Sequence, residues 1–278
     1  MDNTLIARKY RVLSKIGSGS FGQVYKGISI KKGHYVAIKL DDHGTMLKHE
    51  TTLLKYLYDA HCRQIPTVYW YGAIGDKIGL VMSYYDGSLT DYLQEKSLTV
   101  SKLNNIIVQY IRILESVHDL FVIHRDIKPQ NCMIKQGELF LVDFGMATFY
   151  IDDNKNHIID NADSDTIIGS PKYISYYIHR GHTPSRRDDM ISLGYMYLFL
   201  LHRQVPWENV AIDDDNVSEL YVLNRTNIAR MQMKEWSEIS DICNAIGPAF
   251  EAYMRTSYSL DYNEQPNYFS CAQFFYHT

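Results

Sequence analysis

The chain has 278 residues, 46% of them apolar, and a formal net charge of −4. That is enough apolar material for a sizeable core in one large domain or two lobes, and it excludes a disordered chain. The slight negative balance gives no electrostatic basis for nucleic acid or an anionic membrane as the main partner, and any basic patch must be local.

Cys62, Cys132, Cys243 and Cys271 show no C-x-x-C pair and no ligand-like spacing with histidine. Neither zinc nor a disulfide framework is expected, and a reducing compartment fits. Met1-Asp2-Asn3-Thr4 lacks a basic stretch followed by an apolar core, Asp2 breaks the myristoylation pattern, and the run Leu193 to Leu201 is too short to span a bilayer. The expectation is a soluble, cytoplasmic and secondarily nuclear monomer, with no nucleic acid or membrane partner.

Tyr10, Val12 and Ile16 alternate along a strand that runs into Gly17-Ser18-Gly19-Ser20-Phe21-Gly22. A G-x-G-x-x-G is shared with dinucleotide-binding folds, but those require a helix next. Here Gln23 to Ile30 is β-branched and aromatic, Lys31-Lys32-Gly33 makes a turn, and His34 to Leu40 reads as another strand. The glycines therefore belong to a hairpin that can fold over nucleotide phosphates, which argues against a dinucleotide-dependent oxidoreductase. Val36-Ala37-Ile38-Lys39 ends in a cation that is costly to bury unless paired. It is either a phosphate contact held by Glu50, on the helix Met46 to Leu57, or an edge-strand lysine reaching water; Glu50 is equally readable as a solvated helix charge. Ile78 to Met82 reads as a fifth strand, and Ser83 to Ser88 as a hinge whose backbone can bond an adenine edge.

Leu89 to Leu93 and Val100 to His118 carry apolar residues at helical spacing, and the second stripe is expected to bury that helix under the following loop. That loop, His124-Arg125-Asp126-Ile127-Lys128-Pro129-Gln130-Asn131, sets an acid and an amide five residues apart. The pattern suits a carboxylate beside a hydroxyl nucleophile and an amide reaching a metal ion. Cys132 to Ile134 and Leu139 to Val142 read as short strands about a Gln136-Gly137 turn, leading to Asp143-Phe144-Gly145. D-F-G alone is usually a turn, but after Asp126 and Asn131 its carboxylate suits Mg²⁺, which takes few protein oxygens and keeps substrate phosphates. Met146 to Ile168 is acidic and expected to be a mobile surface loop. Asp189 opens the apolar helix Met190 to Leu201, where it caps the helix, reaches back to the His124 to Asn131 backbone, or does both.

Taken together, GSGSFG, VAIK, HRDIKPQN and DFG resemble eukaryotic protein kinases over nearly the whole chain, and SRRDD at 185 to 189, SLGY at 192 to 195 and QVPWEN at 204 to 209 resemble the casein kinase 1 family. The A-P-E triplet is absent, and Ile174-Ser175-Tyr176-Tyr177 stands in its place. The resemblance implies an α+β, bilobal catalytic domain over 1–278, with a β-rich N-lobe at 1–84 bearing one main helix and a larger, mainly helical C-lobe at 85–278. It implies a serine/threonine kinase that transfers phosphate from Mg-ATP, bound between the lobes, to protein substrates; the alternative is a nucleotide-binding pseudokinase scaffold. Asp126, Lys128 and Asn131 are the implied catalytic residues, with Asn131 and Asp143 as metal ligands and Lys128 near the hydroxyl of Ser170. The implied ATP contacts are Ile16, Gly17, Gly19, Gly22 and Val24, then Ala37, Lys39 and Glu50, and at the hinge Met82, Ser83 and Tyr85. Activity without phosphorylation of the 146–168 loop, and no regulatory tail after Thr278, are also implied. The chain departs from the family at Asp165 and Lys172, where lysine and arginine are usual, and at Asp213-Asp214-Asp215 in place of a basic run. The first two departures leave Lys172 and Arg225 as the local cations for an acidic or phosphorylated substrate residue.

Overall fold

The computed structural model describes residues 4–19, 22–95, 99–162, 164, 166–210 and 225–276. In chain order they form strands β1 (Leu5–Ile6), β2 (Tyr10–Gly19), β3 (Gly22–Ser29) and β4 (Tyr35–Asp41), helix α1 (Thr45–Asp59), and strands β5 (Val68–Ile74), β6 (Lys77–Ser83) and β7 (Gly87–Ser88). Helices α2 (Leu89–Glu95) and α3 (Val100–His118) follow, then strands β8 (Val122–Ile123), β9 (Cys132–Lys135), β10 (Glu138–Leu141) and β11 (Thr148–Phe149). The remainder is helical: α4 (Tyr176–His179), α5 (Arg186–His202), α6 (Arg225–Met233), α7 (Trp236–Ile246), α8 (Pro248–Ser259) and α9 (Tyr268–Gln273). The fold is α+β, with an N-terminal sheet and a helical C-terminal region. The chain divides into two compact units, one of Met1–Ser88 with Cys132–Gly145, the other of Leu89–Asn131 with Met146–Thr278.

The first unit is built on an antiparallel sheet in the order β1-β2-β3-β4-β6-β5. β5, to which no position was assigned from sequence, forms the edge; its aromatic and β-branched residues surround Gly72, which interrupts the apolar alternation. Val36, Ile38 and Leu40 on one face of β4 join Val12, Tyr25 and Val81 in a buried cluster, each apolar side chain contributing about 1.5–3 kcal/mol by leaving water. The intervening residues Ala37 and Lys39 take the opposite face, because successive strand side chains alternate. In α1, Leu47, Leu53, Leu54 and Leu57 are buried together with Glu50. The expected Gln136-Gly137 turn joins β9 to β10, with Lys135 opposite Glu138 and both turn residues at positive φ.

In the second unit α5 is buried nearly all round, which its long apolar run anticipates. It packs against α3 and α8, and α3 also meets α9, so the α3 stripe is covered by helices as well as by β8. Ring contacts tie these elements together, Tyr197 stacking on Phe250 at 4.8 Å and Tyr253 meeting Phe275 at 5.1 Å. The stretch after Met146 lies largely at the surface, as expected, but parts of it are tied down. β11 pairs with β8, Ile151 bridges His157, and Asp160 accepts hydrogen bonds from the Thr183 amide at 3.0 Å and pairs with His182 at 2.7 Å. Short-range acid-rich composition suggested solvent, but these carboxylates bind their own backbone and neighbours. Asp163 lies outside the described residues, and no described helix is long and apolar enough to cross a membrane.

The start of α5 separates two roles that sequence left joined. Asp188, not Asp189, serves the helix start, accepting from the Ser185 amide at 2.7 Å and from Ser175 Oγ at 2.5 Å. Burial pushes the Asp188 carboxyl up to about 6, against the pull of Arg187 and these hydrogen bonds. Its folded-state pKa thus exceeds the unfolded value of about 3.9. The stability it contributes is complete below that value and is lost as pH rises through about 6. Urea unfolding of wild type and Asp188→Asn from pH 4 to 7 should show wild type losing on the order of 3 kcal/mol relative to the variant over that range. A difference independent of pH would contradict a carboxyl whose pKa is raised by burial.

Candidate active site

Within the first unit, sheet register assembles the residues expected around a nucleotide. Gly17 lies opposite Val24, Val24 opposite Lys39, Lys39 opposite Leu80, and Ala37 opposite Met82. Directly paired residues share a sheet face, so all six occupy the face away from the Val36-Ile38-Leu40 cluster. Leu80 was not singled out from sequence, since only register reveals that it lies beside Lys39. A bulge between Lys15 and Gly17 takes Ile16 out of the ladder and leaves it 49% exposed. Gly19 pairs with Gly22 at the end of the hairpin, while Ser20 and Phe21 lie outside the described residues. Gly22 has φ 106°, and a Cβ there would stand 2.1 Å from the Leu40 carbonyl oxygen, so glycine alone permits this approach. Met82 is buried, Ser83 Oγ accepts from the Thr67 amide at 3.1 Å, and Tyr85 packs on Phe140 at 4.8 Å.

The sequence alternatives for Lys39 and Glu50 resolve into an ion pair. Lys39 Nζ donates to both Glu50 carboxylate oxygens at 2.9 Å and to Asp143 Oδ1 at 2.6 Å. Burial opposes the lysine charge, but the two carboxylates outweigh it and hold the ammonium above the usual lysine range. Asp143 follows β10 with φ 67°, a left-handed conformation that costs a non-glycine residue free energy and marks a position held by its surroundings.

The second unit carries the other group of candidates. Asp126 is buried; its Oδ1 accepts from Ser170 Oγ at 2.8 Å and from the Ser170 amide at 3.2 Å. Lys128 Nζ lies 2.6 Å from Asp126 Oδ2 and 3.1 Å from Ser170 Oγ. Asn131 Nδ2 donates to the Asp126 carbonyl at 2.9 Å and to Oδ2 at 3.0 Å, which leaves the amide oxygen as its metal-capable atom. Gly169, at φ 106°, brings Ser170 into place; a Cβ there would stand 2.4 Å from the Arg125 carbonyl oxygen.

Asp189 takes the second of the roles left open for it, reaching back to the loop backbone. Its carboxylate accepts from the His124 amide at 2.7 Å and the Arg125 amide at 2.9 Å, and pairs with His118 Nε2 at 3.0 Å. Tyr268 OH meets His118 Nδ1 at 2.7 Å. His118 and Tyr268 had no local signal, because their partners lie far along the chain. Lys172, expected as a free cation, is instead paired with Glu208 Oε1 at 2.5 Å; its Nζ also lies 3.8 Å from the Phe199 ring centroid. Arg225 is exposed at the start of α6, and Asp165 and Asp213 to Asp215 lie outside the described residues.

A protein kinase domain family model matches residues 10–250, and the chain belongs to that family. Protein kinases work on ATP with Mg²⁺, and the donors present fit both. Gly22 allows close backbone approach, Lys39 supplies a buried cation, and Asp143 and Asn131 supply the hard oxygens Mg²⁺ prefers.

Replacing Asp189 by alanine strands two buried amides and His118. Removing one partner of such a buried set typically costs about 3–5 kcal/mol. Chemical denaturation should register a loss of that order, and amide exchange at His124 and Arg125 should accelerate. Unchanged exchange at those two amides would mean that Asp189 does not hold the loop.

Proposed function

We propose that the chain is a serine/threonine protein kinase of casein kinase 1 type that transfers the γ-phosphoryl group of Mg-ATP to protein hydroxyls. The observation that carries this reading is the Asp126–Ser170–Lys128 constellation. An aliphatic hydroxyl donates to Asp126 at 2.8 Å while Lys128 touches both groups, which is the environment a serine or threonine acceptor needs. Bound Mg-ATP supplies the transferable group and a charge-neutralising metal. The protein's part is positioning and electrostatics. Lys39, oriented by Glu50, is suited to the α and β phosphates; Asp143 and the Asn131 oxygen are suited to the metal. Asp126 orients the acceptor hydroxyl and takes its proton, and Lys128 stabilises charge on the phosphoryl oxygens. The backbone about Gly17, Gly19 and Gly22, with Ile16, Val24, Ala37, Met82, Ser83 and Tyr85, is assigned to the rest of the nucleotide.

The subfamily assignment rests on SRRDD, every charged member of which has a specific partner. Arg186 donates to Tyr150 OH at 3.3 Å and to the Asn263 carbonyl at 2.5 Å; Arg187 donates to the Leu260 carbonyl at 3.3 Å and lies 3.6 Å from the Tyr177 ring centroid. Asp188 and Asp189 hold the helix start and the loop, as described. A nucleotide-binding scaffold without transfer is disfavoured, since Lys39, Asp126, Asn131 and Asp143 are all present.

The purified chain, incubated with labelled ATP, Mg²⁺ and casein, should label serine and threonine but not tyrosine in matched peptides. Asp126→Asn should keep ATP affinity and lose about a hundredfold or more in turnover, the usual contribution of a positioned base. Turnover within about tenfold of wild type would remove Asp126 from that role.

Substrate choice should differ from that of relatives with an arginine where Lys172 stands. Lys172 is already neutralised by Glu208, and a lysine lacks the two-pronged geometry that arginine offers a phosphate. Matched peptides with phosphoserine or serine three residues before the acceptor should differ by less than about tenfold in kcat/KM, or about 1.4 kcal/mol. A larger preference for the phosphorylated peptide would show that an effective anion site exists.

A further inference from the structure

Helix α9 lies beyond the kinase family match, which ends at residue 250, yet it reaches the support of the His124 to Asn131 loop. Asn267 caps this helix, its side chain accepting from the Ser270 amide at 2.9 Å, and the cap fixes the first turn. In that turn Tyr268 is 3% exposed and its neighbour Phe269 is 72% exposed, so the helix directs the tyrosine inward. Tyr268 OH lies 2.7 Å from His118 Nδ1, and His118 Nε2 lies 3.0 Å from Asp189 Oδ2. The His118 carbonyl is held separately, by Tyr150 OH at 2.7 Å, so the backbone of this residue does not hang on Tyr268. Tyr268, His118 and Asp189 form a buried file that ends on the His124 and Arg125 amides, immediately before Asp126.

The positions of the hydrogens set the direction of each bond. Asp189 accepts two backbone amides and is held as an anion, so toward His118 it can only accept. His118 Nε2 must therefore carry a hydrogen, and Nδ1 of the neutral ring presents a lone pair. Tyr268 supplies the matching donor. Burial, against the pull of Arg186, raises its phenol above the usual range and keeps the hydroxyl protonated. The opposite tautomer, with its hydrogen on Nδ1, would set the Nε2 lone pair against the Asp189 carboxylate. Which imidazole nitrogen carries the hydrogen is decided by the bond that the other one makes. Losing the hydroxyl would leave Nδ1, on a side chain 1% exposed, without its donor.

We propose that Tyr268 is a positioning residue for phosphoryl transfer: its hydroxyl keeps His118 in the tautomer that donates to Asp189, and so holds the loop amides where they place Asp126. This rests on the kinase reading above. Tyr268→Phe keeps the ring and removes only the hydroxyl. With Mg-ATP and a serine peptide it should lower kcat about fivefold or more while both KM values stay within about twofold, because only the placement of Asp126 is disturbed. Tyr276→Phe tests helix docking alone, since it removes the 2.6 Å bond from Arg112 of α3 to Tyr276 OH just past α9. It should leave kcat unchanged. Amide exchange at His124 and Arg125 should accelerate in Tyr268→Phe and not in Tyr276→Phe. Nitrogen resonances of isotope-labelled histidine in wild type should show His118 with its hydrogen on Nε2 and a hydrogen-bonded Nδ1, and the Nδ1 resonance should move in Tyr268→Phe. The proposal is overturned by a wild-type His118 protonated at Nδ1, by kcat and loop exchange indifferent to Tyr268→Phe, or by an equal loss in Tyr276→Phe, which would assign the effect to helix docking. A wild-type chain that transfers no phosphate would instead remove the kinase reading, and the exchange and nitrogen spectra would still decide whether the hydroxyl holds the loop.

Discussion

The His124 to Asn131 loop of the second unit hangs on one buried carboxylate. Asp189, 1% exposed, is delivered by a helix that is itself buried on nearly every side, so its position is set by packing before any chemistry is considered. From there it accepts the His124 and Arg125 amides. Arg125 has φ 68°, a conformation that would relax if those bonds were lost. Asp126 is the next residue, and its placement is therefore inherited from α5. Burial alone would push the Asp189 carboxyl up, yet the hydrogen bond and charge of His118, with His124 beside it, hold it below the usual carboxylate range. The anchor thus stays an anion, which an acceptor of several buried N–H groups must be.

Both groups of candidate residues set an aspartate against a lysine, Asp126 buried and Asp143 a quarter exposed. Asp143 is held by Lys39 at 2.6 Å, and Asp126 by Lys128 at 2.6 Å. An unpaired buried carboxylate would be neutralised by a shifted pKa, whereas pairing to lysine preserves the charge on a stem flexible enough to rearrange. The first group holds one lysine against two carboxylates, Glu50 and Asp143. Glu50 is the more deeply buried of the two, at 1%; both its oxygens accept from Lys39, and the Phe144 backbone bonds it as well. It is the deeper hold on the lysine, and Asp143 is the one nearer solvent.

Much of this was legible because each motif combined chemistry with a local conformational demand. The GSGSFG turn had to lie between strands because no helical periodicity follows it, and HRDIKPQN carries its acid and amide at a spacing that a short loop can bring together. Asn131 does bond to Asp126 across those five residues. What stayed hidden depends on long-range contacts. Leu80 joins the Lys39 face only through pairing of β4 with β6. Asp189 is supported by His118, which Tyr268, 150 residues further along the chain, bonds in turn. Lys172 read as a spare cation because Glu208 sits on a segment beyond α5, and only the folded chain brings that carboxylate to it. The acid-rich stretch after Met146 misled for a related reason, since composition counts carboxylates without showing that Asp152 and Asp160 bind backbone amides.

The segment from Gly169 to Ser175 is held to its neighbours by several buried bonds. Lys234 Nζ, wholly buried, lies 2.9 Å from the Pro171 carbonyl, 2.7 Å from the Ile174 carbonyl and 3.1 Å from His179 Nε2. No carboxylate is among these partners. Burial, with Arg230 adding like charge, pushes its pKa well below the usual lysine range. Trp207 Nε1 donates to the Lys172 carbonyl at 2.7 Å, and Ser170 and Ser175 bond to Asp126 and Asp188. Arg125, a residue that pairs with a phosphorylated loop in many kinases, here donates Nε to the Met146 carbonyl at 2.5 Å. The segment is therefore tied along its length by bonds to its backbone carbonyls, by bonds to buried carboxylates and by the Lys172–Glu208 ion pair.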